Sequence, residues 1–214
     1  MNLADYIEHT ALSATLTIAD IDKLIAEAQQ HKFVGVCVPP FWVERAKREI
    51  GNAPIQLVTV VGFPLGYQLT ETKLDEIKRT LDYGANEIDV VMNISAFKTR
   101  LPWTKIEIAK CAKAVHQQEA ILKVIIETAY LTNQEITEAS KLCADAGADY
   151  VKTSTGFAGA GAKTEHIKIM REAVPTSVGI KASGGIKTKA FALELIAAGA
   201  NRLGTSAGVA LLND

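Results

Sequence analysis

With 214 residues, 48% of them hydrophobic and 22% charged, the chain has the make-up of one globular domain with a sizeable core. A net charge of −1 gives no electrostatic case for nucleic acid or an anionic membrane, so neither is expected as a partner. Three cysteines, Cys37, Cys111 and Cys143, stand in no metal-ligand spacing and offer no disulfide framework, which fits a reducing compartment.

In chain order, "MNLADYIEH" has neither a basic start nor an apolar run, so no signal peptide is visible. No apolar run approaches the roughly 20 residues that cross a bilayer, and a cytoplasmic location is expected. "YIEHTA" (6–11) can be drawn as a strand, and a short helix fits there nearly as well. "TIADIDKLIAEAQQ" carries apolar residues at 18, 21, 24, 25 and 28, a helical face. The strands "FVGVCV" (33–38) and "IQLVTVV" (55–61) follow, then a helix over 70–83 in which "ETKLDEIKRT" reads as a solvated face. Next come "EIDVVM" (87–92), a helix over 104–118, and "ILKVIIE" (121–127). A helix opens on Thr132 and Glu135 with capping-box spacing and closes at Gly147. "YVKTS" (150–154), a helix over 164–174, "VGIKAS" (178–183), a helix over 188–198 and "RLGTS" (202–206) complete the series. Alternating strand and helix predicts an α/β protein with a parallel sheet and helices outside it. Seven strands are evident, and counting 6–11 as an eighth closes a (β/α)8 TIM barrel. No linker or composition break divides residues 1–214, so a single domain is expected.

In such barrels, reactive groups lie at the carboxyl ends of the strands, and phosphate often binds at the loops after strands seven and eight. Those strands run into Ser183-Gly184-Gly185 and Gly204-Thr205-Ser206, where glycine lets backbone N–H groups approach an anion and Ser206 could open a short helix. Asp89, Lys123, Lys152 and Lys181 each interrupt an otherwise apolar strand. An internal ion-pair network is the plain reading. Three cations against one obvious acid, even adding Glu127, make that arrangement costly unless one lysine is neutral. Burial and a neighbouring cation both disfavour an ammonium, and a free amine so produced can attack a carbonyl to form a Schiff base. Lys152 and Lys181, at adjacent strand ends, suit such a pair.

The stretches "EHTAL", "GVCVPP", "VTVVGFPLG", "EIDVVMN", "LKVIIET", "ADYVKTSTGF", "GIKASGGIKT" and "RLGTSAGV" closely resemble, in order, the motifs of the deoxyribose-phosphate aldolase family. The resemblance implies a (β/α)8 class I aldolase with no metal or other cofactor, reversibly cleaving 2-deoxyribose 5-phosphate to glyceraldehyde 3-phosphate and acetaldehyde. It implies Lys152 as the Schiff-base nucleophile, Lys181 as the cation that keeps it deprotonated, Asp89 in proton transfer with a bound water, and Lys123 as its support. It further implies Gly156, Gly184, Gly185, Lys187, Gly204 and Ser206 around the phosphate, and Thr10 and Thr155 along the substrate. The chain departs from the pattern at Glu8, where aspartate is usual, and at Ser13, where lysine is usual. Pro39 stiffens the loop after strand two, Lys187 replaces an arginine and its bidentate fork, and "ALLND" lacks a terminal tyrosine that some members use.

Rival readings are a different Schiff-base barrel enzyme, such as a transaldolase-like or ketose-phosphate aldolase, and a non-catalytic phosphometabolite-binding barrel. His9, His31, His116 and His166 show no ligand spacing, and His166, at a helix start, is expected at the surface. Cys37 reads as a small core residue. Trp42 and Trp103, beside helix-start prolines, suit packing or a subunit contact, and a homo-oligomer is expected, with a dimer favoured.

Overall fold

Alternation along each strand decides the architecture, because successive side chains point to opposite faces. The computed structural model describes residues 2–213; residues 1 and 214, at the two ends of the expected domain, lie outside the described residues. The strands β1 (Ile7–Thr10), β2 (Gly35–Val38), β3 (Gln56–Val61), β4 (Glu87–Val91), β5 (Ile121–Ile125), β6 (Tyr150–Lys152), β7 (Gly179–Ser183) and β8 (Arg202–Thr205) form a closed parallel barrel in sequence order. Closure is made by β1 against β8, with Ile7 opposite Leu203 and His9 opposite Thr205. Residues 6–11 thus contain the eighth strand and not the competing helix; a 3-10 turn over Leu3–Tyr6 lies directly before it.

The helices are α1 (Ile18–His31), α2 (Val43–Ile50), α3 (Thr70–Asp82), α4 (Ile94–Lys98), α5 (Trp103–His116), α6 (Asn133–Asp145), α7 (Thr164–Ala173), α8 (Lys189–Ala197) and α9 (Gly208–Asn213). Thr17 and Asp20 cap α1 reciprocally, and Thr132 and Glu135 do the same for α6. The sequence marks only a helix-start proline beside Trp42 and predicts no range for α2; its buried Val43, Ala46 and Ile50 fall on one face of a mostly charged segment. Outward strand residues such as Leu57, Ile88, Val124, Val151, Ile180 and Leu203 pack in one core with Ile77, Ile108, Ala139, Ile167 and Leu195 from the helices.

Two surface expectations are corrected. His166 is only 7% exposed, because it lies beside Ile167 and shares the buried side of α7 with Met170. Lys73, within the expected solvated face, is fully buried and donates to Glu107 Oε1 at 2.6 Å and to the Val91 carbonyl at 2.9 Å, since it lines up with Ile77 and Thr80 on the inner side of α3. Among the described residues no helix is long and apolar enough to cross a membrane.

Candidate active site

Inside the barrel the alternation places charge where many barrels place aliphatic layers. Between outward Ile88 and Val90 lies Asp89, between Leu122 and Val124 lies Lys123, and between Ile180 and Ala182 lies Lys181. Lys152 follows outward Val151 at the end of β6. Asp89 pairs with Lys123 across β4 and β5, and Lys152 with Lys181 across β6 and β7. The side chains converge on a single carboxylate. Lys152 Nζ and Lys181 Nζ both donate to Asp89 Oδ2 at 2.7 Å, and Lys123 Nζ donates to Oδ1 at 3.0 Å. The two candidate lysines are therefore neighbours within the barrel, bridged by one oxygen.

The acid count from sequence was too low. Glu8, from β1, binds Lys181 closely and lies 3.6 Å from Lys123, while Glu87, two residues before Asp89 and so on the same face, binds Lys123. Arg202, at the amino end of β8, comes within 3.7 Å of Glu8. Three carboxylates thus face three lysines, with Arg202 as a further cation. Glu127, by contrast, has no ion pair with this cluster among the described residues and accepts hydrogen bonds from Thr155. The position where aspartate was missing is not empty of charge: Glu8 supplies a carboxylate on a longer arm.

Burial opposes ionisation of each of these groups, and the opposite charges override it. Burial tends to raise the Asp89 carboxyl, but Lys123, Lys152 and Lys181 together hold it well below the usual range. Glu8 is likewise lowered, against burial, by Lys123 and Lys181. Burial tends to lower Lys181, yet Asp89 and Glu8 raise it above its ordinary value, and Lys123 is raised in the same way by Asp89, Glu8 and Glu87. Both stay ammonium ions near neutrality.

Glu8 and Asp89 titrate lower folded than their ordinary 4.5 and 3.8, so their contribution to stability is present above those values and is lost as pH falls through the depressed folded ones. Glu8→Gln is expected to cost on the order of 3 kcal/mol at neutral pH, since it leaves Lys181 short of a buried partner. Its stability should also fall less steeply than wild type on acidification below pH 4.5. Urea unfolding across that range measures both, and parallel acid slopes would contradict the assignment.

Above the cluster a cavity of about 610 Å³ opens at the carboxyl ends of the strands. Lys152 lines it, and Lys123 and Lys181 do not. All eight expected binding positions line it too: Thr10, Thr155, Gly156, Gly184, Gly185, Lys187, Gly204 and Ser206. Gly184 and Gly185 both take left-handed φ, +85° and +76°, a turn that turns the backbone along the wall. Gly204 leaves room there: an added Cβ would lie 3.1 Å from Ser183 Cβ and 3.2 Å from Lys181 Cε, and those side chains would have to give by a few tenths of an ångström. The short closing helix α9 begins at Gly208, so Ser206 stands two residues before it rather than opening it. Sequence reading missed Leu12, Ser13 and Phe157 on the same wall; Phe157 stands edge-on to Phe63 with ring centroids 5.2 Å apart.

The remaining conspicuous side chains lie apart. His9 is outward-facing and bonds Glu27 of α1 at 2.8 Å. Cys37 is buried inside the barrel beside Val58 and Val60, and burial pushes its thiol up to about 11. Among the described residues no group of three or more His, Cys, Asp or Glu side chains is arranged to hold a metal ion.

Residues 3–214 match the model of the DeoC/LacD family aldolases. The chain belongs to that family. This aldolase is 47% identical, over 98% of its own length and 95% of the relative's, to a deoxyribose-phosphate aldolase of Thermococcus kodakarensis. Its fold superposes on an aldolase designated QR15 with a TM-score of 0.94 at 34% identity, covering all of this chain and 95% of the other. It also superposes on the deoxyribose phosphate aldolase of Aeropyrum pernix, described as a tetramer, with a TM-score of 0.92 at 31% identity, covering 99% and 89% of the two chains. The aldolase is thus a carbon–carbon lyase on a TIM barrel, the class that the lysine pair suggested.

Proposed function

We propose that this aldolase reversibly cleaves 2-deoxy-D-ribose 5-phosphate to D-glyceraldehyde 3-phosphate and acetaldehyde through a Schiff base on Lys152. One observation carries the reading: of three lysines sharing Asp89, Lys152 alone lines the cavity and alone has a single carboxylate partner. Lys152 Nζ attacks the C1 carbonyl, and the carbinolamine loses water to give a protonated imine. The 3-hydroxyl gives up its proton, the C2–C3 bond breaks, and its electron pair enters the imine to leave an enamine. Protonation of the enamine carbon and hydrolysis release acetaldehyde. Asp89, with a bound water, carries protons through these steps, Lys123 holds Asp89 in place, and Lys181 keeps a positive charge beside the amine that reacts. Thr10 and Thr155 line the sugar, while Gly156, Gly184, Gly185, Lys187, Gly204 and Ser206 hold the phosphate. No metal takes part, because the imine is the electron sink.

A coupled assay of glyceraldehyde 3-phosphate release from deoxyribose 5-phosphate tests this, with equal rates expected with and without chelator. No cleavage of that sugar, with trapping of another carbonyl on Lys152, would indicate a different Schiff-base aldolase. Phosphate binding without any trapping would indicate a binding barrel.

The reading extends to the whole chain, 1–214, as one catalytic domain in the cytoplasm, where its three free buried cysteines remain reduced. Cell fractionation checks the location. A homo-oligomer, with a dimer favoured, is supported by Tyr67, Leu69, Trp103 and Ile106, exposed apolar residues around one groove between α3 and α5. Sedimentation equilibrium measures its size.

A further inference from the structure

The loop after β5 holds a buried acid that the proposed chemistry leaves unused. Glu127 is 1% exposed and has a left-handed φ of 49°, which costs a residue with a side chain about 1 kcal/mol or more. Its neighbours pin it there: Ile126 N–H donates to the Lys152 carbonyl at 3.0 Å and Thr128 N–H to the Thr153 carbonyl at 2.9 Å. From that position Glu127 Oε2 accepts both the backbone N–H of Thr155, at 3.0 Å, and its hydroxyl, at 2.5 Å. The other oxygen, Oε1, is buried with no hydrogen-bond partner among the described residues.

A threonine hydroxyl has one proton and two lone pairs. Here the proton is given to Glu127, and one lone pair takes the N–H of Phe157 at 3.0 Å. One lone pair is left, on a residue that lines the cavity three positions beyond Lys152. Thr155 can therefore accept a hydrogen bond from a ligand but cannot donate one. We infer that Glu127 is a positioning residue that fixes Thr155 as an acceptor, selecting substrates with a hydroxyl between the reacting carbon and the phosphate. The oxygen on the reacting carbon alternates between aldehyde and alcohol, so its partner must both give and take a proton. The adjacent hydroxyl is always a donor and suits an acceptor-only partner. This inference rests on the function proposed above and names a specificity element of that same site.

The test runs in the synthetic direction, adding acetaldehyde to glyceraldehyde 3-phosphate or to 3-phosphooxypropanal, which lacks the 2-hydroxyl. Wild type should favour the hydroxylated acceptor about tenfold or more in kcat/KM. Glu127→Met, close in shape but without the acceptor, should bring that ratio near one, chiefly through KM for the hydroxylated aldehyde. Glu127→Gln should restore most of the ratio, because Thr155 N–H still demands an oxygen there and the hydroxyl follows it. A Met variant that lowers both acceptors equally, leaving the ratio intact, would make Glu127 merely structural and overturn the inference. Should that variant not fold, Thr155→Val, which keeps Glu127 and its backbone bond, must bring the ratio near one by itself, and an unchanged ratio there overturns it as well. Borohydride trapping of acetaldehyde on the wild-type chain keeps the two claims separate: its failure would refute the Schiff base, while a lost or unaltered acceptor ratio bears on Glu127 alone.

Discussion

Replacing Lys152 by alanine is expected to abolish cleavage, a fall in kcat on the order of 10⁴-fold or more, and to eliminate the adduct trapped by borohydride in the presence of substrate. The other lysines cannot take over. Lys181 is bound by Asp89 and Glu8, Lys123 by Asp89 and Glu87, and neither lines the cavity. Asp89 keeps two cations after the change, so the variant should still unfold cooperatively in urea. That control matters, because an inactive variant that had lost its fold would say nothing about chemistry. Residual cleavage at the wild-type rate, or an adduct mapped by peptide mass to another lysine, would end the mechanism.

The second large effect concerns Lys181→Leu. On the proposed role of Lys181 as the cation beside the reacting amine, activity at neutral pH should drop roughly 10²- to 10³-fold and recover in part as pH rises. A pH–rate profile that overlays wild type would refute the role of the second cation. The same substitution leaves Glu8 and Asp89 with fewer buried partners and should cost about 3–5 kcal/mol of stability at neutral pH. Lys181 titrates above its ordinary 10.5 when folded, so its contribution is present in full below that value and disappears as pH rises through the higher folded one. The stability gap between wild type and variant should therefore hold up to about pH 10 and narrow beyond it.

The barrel was legible because its signals are local and repeated. Most strands are short runs rich in β-branched residues, and the expected helices carry an apolar stripe or a cap, as at Thr132 and Glu135. The weakest element, residues 6–11, was decided by something no local pattern contains: β8 needs a neighbour, and only β1 closes the ring. The site was legible in part for a similar reason. Lys152 and Lys181 stand out because each puts a cation into an otherwise apolar strand, Lys152 at the end of β6 and Lys181 in the middle of β7 rather than at its end. Glu8 and Glu87 instead stand at strand starts, where a charge looks like ordinary solvent-facing punctuation. Counting two residues back from Asp89 would have put Glu87 on the inner face. Glu8 was harder, since its reach to Lys181 depends on which strand closes the barrel. Lys73 was misread because its partner, Glu107, is distant in sequence and comes from another helix.

The charged layer inside the barrel has a consequence for how such an enzyme can change. On the proposed mechanism its rate and its persistence draw on the same few side chains, so a substitution made for one acts on the other. New substrate preferences are more readily gained at the rim, where Leu12, Ser13 and Phe157 sit on loops beyond the strand ends and can vary without reopening the ionic interior. A change at the rim thereby spares the ionic interior, whereas a change to one inner lysine or acid alters the partners of the others.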